Sequence, residues 1–366
     1  MNSGYIQELL NKKGYILLPD GDYTITETLF IGSDTMLVMS PKVRLIRRAN
    51  IPIFGTIPYS RNIWIKGGVL NGQGPGLSSD SYANISYIFQ SEHITLENVV
   101  FLDTLGSHSI DINASKDVSI LNCRFLGYKV NTPEPFREAI QIDFASANAL
   151  PIFPPDSPYY DLACCENIRI LGCTFDKSER YPAPLNAIGT HSQPNSTEKS
   201  RNILIAGNVA KGSGGVGAYG FFVNCVNFRN VKIIDNLVEG YTRFVRIYSN
   251  KTEFRADGTK ITDGTNSYCD NIQIAGNTAT LYERYMANGV YGISYNGVPH
   301  RNIQVMNNIF ISNKLDSLKT HYMADFNLVN NVVVTNNTNN MVFENPIRIT
   351  DCTSYCVYNN NYFSNL

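Results

Sequence analysis

The sequence predicts an all-β fold, a single-stranded right-handed parallel β-helix. Three observations carry that prediction: a block that recurs along most of the 366 residues, apolar alternation inside each block, and an Asn or Cys that closes it. The block reads KDVSILNCRF (116–125), ENIRILGCTF (166–175), RNILIAGNVA (201–210), RNVKIIDNLV (229–238), DNIQIAGNTA (270–279) and RNIQVMNNIF (301–310). Weaker copies are RNIWIKGGVL (61–70), EHITLENVVF (92–101) and NNVVVTNNTN (330–339). Their first apolar positions fall at 63, 94, 118, 168, 203, 231, 272, 303 and 332. Alternation over four or five residues is a strand signal, and the Asn or Gly behind it signals a turn. A short repeat of strands cannot bury its inner face alone, so such repeats stack as coils. Five positions after the first strand residue of the last seven blocks stand Cys123, Cys173, Asn208, Asn236, Asn277, Asn308 and Asn337. Stacked Asn side chains can hydrogen-bond in a ladder, and Cys fills the same slot as a small apolar residue.

Composition narrows the function classes. There are 30 Lys and Arg against 31 Asp and Glu, a net charge of -1, which argues against a nucleic-acid partner that needs a basic face. Apolar residues at 43 % suffice for a large core. No uninterrupted apolar run approaches the length of a membrane span, and MNSGYIQELLNKKG does not read as a secretory signal. The eight Cys include no CxxC pair and no Cys/His zinc spacing, so buried free thiols are expected. Nothing in the motifs calls for a cofactor, and no metal site is expected.

The N-terminal stretch YIQELLNKKGYILLPDGDYTITETLFIGSDTMLVMSPKVRLIRR, followed by the N-I-x-I-x-x-N blocks, resembles the pectate-lyase-like superfamily. The likeness is closest to members related to glycoside hydrolase family 28 and to phage tailspikes. It implies a short capping helix and first coils over 1–60, then one continuous parallel β-helix over 61–366. The glycoside hydrolase family 28 pattern would further imply an Asp, an Asp-Asp pair, Gly-His-Gly and Arg-Ile-Lys. Here Asp143, His191 (in GTHS) and Arg246 (in VRIY) map onto it, with no Asp-Asp pair.

A second strand precedes the Asn blocks: SIDIN (109–113), AIQID (139–143), AIGTH (187–191), GFFVN (220–224), FVRIY (244–248) and YGISY (291–295). Alternation sends positions one, three and five outward. One outward column is then Asp111, Gln141, Gly189, Phe222, Arg246, and its neighbour is Asn113, Asp143, His191, Asn224, Tyr248. A strip rich in Asp, His, Arg and Tyr and free of Lys suits glycan chemistry better than a plain solvated face does. Asp111 and Asp143 lie one diagonal step apart, within the range in which paired carboxyls act as acid and base or nucleophile in glycosidases. Glu138 competes with them, and His191 is placed to bond Asp143 or a substrate hydroxyl. Binding roles fall to His108, Asn113, Arg137, Gln141, Tyr219, Phe222, Asn224, Arg246 and Tyr248. Within the Pro- and aromatic-rich insertion 146–165, Phe153, Tyr159 and Tyr160 are candidate platforms for sugar rings. A second long insertion, 249–269, is expected to wall the other side.

The expected function is a glycan depolymerase hydrolysing an exopolysaccharide, capsule or wall polysaccharide. The alternatives are a lyase or C5-epimerase using His191 or Tyr248 with Arg246, and a non-catalytic glycan-binding spike. Polysaccharide is the expected partner, a homotrimer the expected assembly, and a phage tail or the cell exterior the expected location.

Overall fold

A computed structural model describes residues 2–73, 77, 83–129, 138–212, 220–282, 288–312, 322–339, 346–352, 356–359 and 361–363. Its first element is the helix Ser3–Asn11, capped by Asn2, whose Oδ1 accepts from the Tyr5 amide at 3.3 Å. Ile6 and Leu10 of that helix are buried against the first coils, which close the N-terminal end of the core. Behind it the chain winds as a right-handed parallel β-helix. One sheet of 22 strands holds the recurring blocks, and a second sheet of 11 strands holds the segments ahead of them.

The blocks stack in register: Val118 pairs with Ile168, Ile168 with Ile203, Ile203 with Val231, Val231 with Ile272, and Ile272 with Ile303. The 50-residue step from 118 to 168 is therefore one coil with its excess looped out, not two. Inward Ile, Val and Phe form one continuous core along the axis. Phe101, Phe125 and Phe175 stack face to face with centroids 4.9 Å apart, which matches the ~4.8 Å spacing of paired strands.

Two left-handed corners per coil explain the Asn content. The second residue of the block adopts φ near +55° at Asp117, Asn167, Asn202, Asn230, Asn271, Asn302 and Asn331. The residue before the closing slot does so at Asn122, Gly172, Gly207, Asp235, Gly276, Asn307 and Asn336. Gly, Asn and Asp tolerate this conformation best, so they recur where each coil turns.

The closing slots form the expected ladder. Asn277 Oδ1 accepts from both the backbone and the side-chain amide of Asn236, at 3.0 and 2.9 Å, while Asn277 Nδ2 donates to Asn308 Oδ1 at 2.9 Å. The pattern repeats from Asn208 to Asn361. At its upper end the Cys173 amide donates to Asn208 Oδ1 at 2.8 Å, so Cys and Asn share one slot. The buried cysteines Cys123, Cys165, Cys173, Cys225 and Cys269 are free thiols, as are the half-buried Cys164 and Cys352.

Candidate active site

The second sheet presents the site on its outer face. Ile110 pairs with Ile140, Asp111 with Gln141 and Asn113 with Asp143, so Asp111 and Asp143 stand one diagonal step apart as expected. The next strand follows with Ile188 beside Ile140 and Gly189 beside Gln141.

Beyond that strand the structure corrects the expected register by two residues. Asn224, not Phe222, stands beside Gly189 and Arg246. Phe222 is fully buried in the core, stacked on Phe244 with centroids 5.6 Å apart. The physical reason is a break in alternation. Ala139 and Ile140, Ala187 and Ile188, Phe222 and Val223, and Phe244 and Val245 are consecutive residues that all lie in the core. Two inward neighbours in a row shift the parity ahead of them, so Glu138 and Arg243 flank the strip instead of pointing inward. Glu138, Asn186, Phe221 and Arg243 are register partners.

Glu138 becomes the centre of the cluster. Its side chain is completely buried, His191 Nδ1 donates to its Oε2 at 3.0 Å, and Asn224 Nδ2 lies 3.2 Å from its Oε1. The His108 Nδ1–H donates to the Glu138 carbonyl oxygen at 2.6 Å. The His108 and His191 rings lie nearly parallel, with centroids 5.8 Å apart. His191 thus bonds Glu138, and its edge is where the cluster meets solvent, with 27 % of the side chain exposed.

The three carboxyls are pushed to opposite states. Burial alone would raise Glu138, but facing His191 and the Asn224 amide hold it down at about 2. Burial raises Asp143 to about 6, against the pull of His191, the Phe144 N–H and Gln141. Burial and the neighbouring Asp143 raise Asp111 well above the ordinary carboxyl range. Asp143 accepts from Gln141 Nε2 at 2.5 Å and from the Phe144 amide at 2.9 Å. Asp111 accepts from Asn113 at 2.8 Å and from Asn84 at 3.1 Å. Burial also drives His108 down to about 4, which keeps it neutral.

Around the carboxyls, the side-chain oxygens of Asn113, Gln141 and Asn224 are buried with no donor among the described residues. Arg246 stacks on Tyr248 at 3.5 Å from the ring centroid and lies over Phe221 at 5.0 Å, while Arg243 lies over Tyr291 at 4.6 Å. Tyr160 is a second correction. It is buried in a small core of its own insertion with Phe89, Leu150 and Phe153, and its hydroxyl donates to the Leu150 carbonyl at 2.7 Å. A loop of this length needs an apolar anchor, and Tyr160 serves as it, so no ring face is left for a sugar. Tyr159 is half-buried and packs on Phe153 and Tyr59. The insertion 249–269 carries a short antiparallel pair, Glu253–Phe254 with Lys260–Ile261, and meets the first insertion where the Ala147 amide donates to the Ala256 carbonyl. Arg137 and Tyr219 lie outside the described residues.

Sequence reasoning missed Asn84 and Arg243. Asn84 bonds Asp111 and accepts from the His108 amide, but it sits in a stretch with no repeat signal. Arg243 was legible one residue ahead of FVRIY, had the paired inward residues been anticipated.

The unbroken stack of parallel coils decides the fold. This is a right-handed parallel β-helix. The crystal structure of PfbA, a surface adhesin of Streptococcus pneumoniae, superposes with a TM-score of 0.81 at 24 % identity, covering 100 % of this chain and 88 % of that one. A hyperthermoactive exopolygalacturonase of Thermotoga maritima superposes at 0.68 and 12 % identity, covering 100 % and 89 %. A tailspike protein of E. coli bacteriophage HK620 does so at 0.59 and 14 %, covering 98 % and 61 %. By sequence, the chain is 30 % identical over 223 residues to the plasmin and fibronectin-binding protein A of Streptococcus pneumoniae, covering 53 % of this chain. The match spans 31 % of that relative's length. No protein-family pattern matches the chain. Among the described residues no helix is long and apolar enough to cross a membrane.

Proposed function

We propose that the chain is a glycan depolymerase that hydrolyses a glycosidic bond between Glu138 and Asp143. The observation that carries this reading is the divergence of neighbouring buried carboxyls: Glu138 is held ionised by His191, while Asp143 is pushed toward its protonated form. Divergent environments of this kind assign base and acid roles. Glu138 takes the proton of a water entering past the His191 edge, and the Asp143 carboxyl protonates the leaving oxygen. Asp111, neutral and held by Asn84 and Asn113, positions a sugar hydroxyl. The donor-less amide oxygens of Asn113, Gln141 and Asn224 suit further hydroxyls, since buried acceptors are normally paired. Arg246, on the coil beside Asn224 and three coils from Asp143, favours a sugar that carries an acidic group further along the strip.

Reducing-end release from a panel of neutral and uronate-bearing bacterial exopolysaccharides tests the reading. New reducing ends without an unsaturated product, lost in Glu138→Gln and in Asp143→Asn, support it; an ultraviolet-absorbing unsaturated product refutes it in favour of a lyase. One observation favours a second reading, an adhesin: the 30 % identical relative is named for binding plasmin and fibronectin. Glycan or protein binding with no new reducing ends identifies that case.

A further inference from the structure

Three successive coils each contribute one metal-competent group to the same point. One nitrogen from His108, one from His191 and a carboxylate oxygen of Glu138 lie within 4.8 Å of one another. The spacing follows from the stack, because His108 reaches the carbonyl of Glu138 on the next coil and His191 reaches its carboxylate from the coil beyond. We propose that His108, Glu138 and His191 bind a divalent transition ion, Zn²⁺.

The chemistry of the donor set fits. Two imidazoles and one carboxylate are a common zinc set, with bonds of about 2.0–2.2 Å that place ligand atoms about 3.3 Å apart. His191 Nδ1 and Glu138 Oε2 already stand 3.0 Å apart, so an ion can replace the proton between them. His108 gives its Nδ1–H to a backbone carbonyl, which leaves the lone pair on Nε2 and fixes the ring, as an orienting partner does for metal-ligating histidines. The three ligand atoms lie within 4.8 Å of one another, so closing on an ion takes only a small side-chain movement. An open coordination position then faces the same entrance as the water of the proposed hydrolysis. If that hydrolysis holds, the metal-loaded site is its inhibited state, because the ion takes the Glu138 carboxylate.

Isothermal titration of the EDTA-stripped full chain with Zn²⁺ tests this without any turnover, so it stands or falls independently of the hydrolase assay. One ion per chain is expected. Affinity should fall at least tenfold in His191→Gln, which keeps an amide donor for Glu138 but removes the imidazole. It should persist in His93→Gln, whose wild-type side chain is an exposed partner of Asp117. Absence of saturable one-to-one binding, or equal binding by His191→Gln, overturns the proposal, as does loss in His93→Gln. Circular dichroism of each variant confirms that the stack is intact.

Discussion

Replacing Asp143 by Asn should stabilise the protein at neutral pH while removing its proposed activity. The Asp143 carboxyl is 1 % exposed and burial raises it from 3.8 to about 6. Between those values the folded chain holds a proton that the unfolded chain has lost, so stability falls as pH rises from about 4 to 6 and then levels off. A shift of that size, at about 1.4 kcal/mol per pH unit, is a penalty of about 3 kcal/mol at pH 7. The amide introduced by Asp143→Asn carries no such penalty. Its oxygen can keep the bond from the Phe144 amide, and its new N–H donors need an acceptor. Gln141 supplies one by flipping its amide, because its Oε1 is buried without a partner in the wild type. Urea unfolding of both proteins across pH 4–8 measures the difference. The variant should match the wild type near pH 4 and exceed it by about 3 kcal/mol at pH 7. A difference that does not grow with pH, or a variant less stable at pH 7, refutes the assignment of Asp143 as a buried, proton-retaining acid.

Other outcomes follow from the stack and the loop. Asn277→Ala should cost about 2–6 kcal/mol in thermal or chemical unfolding, since it strands the Asn236 amide and the Ile233 carbonyl. Asn277→Cys should cost less, because Cys173 already shows a thiol donating to the matching carbonyl, that of Ile120. Tyr160→Phe removes the bonds to the Leu150 carbonyl and Phe153 amide and should cost about 1–3 kcal/mol, seen as faster hydrogen exchange confined to 146–164.

The stack was legible because each coil repeats its own turn chemistry. Asn at the second block position and Gly, Asn or Asp before the slot mark the left-handed corners, and the apolar pair between them marks the inner face. Asp111, Gln141, Asn113 and Asp143 were placed correctly because their strands alternate strictly after Ile110 and Ile140. Phe222 was misplaced because an aromatic in a second strand reads the same whether it faces out or belongs to an inward pair. Glu138 was named as a competitor only, since its partner His191 lies 53 residues on and is brought to it by a strand that ends at Gly189. Tyr160 looked like a surface platform because a loop's private core leaves no periodic trace.

The amide ladder also shapes how the molecule comes apart. Each slot oxygen from Asn236 to Asn361 receives two bonds from the coil before it, so a coil that peels away strands donors on one neighbour only. Such a stack behaves as a zipper: it frays from an open end, and each further step costs roughly the same. The N-terminal end is sealed by a helix and the slots at Cys123 and Cys173 hold thiols, while the later coils share amides. Under a pulling force along the axis, extension should therefore proceed coil by coil as a near-regular sawtooth, with the amide-linked coils giving the tallest teeth.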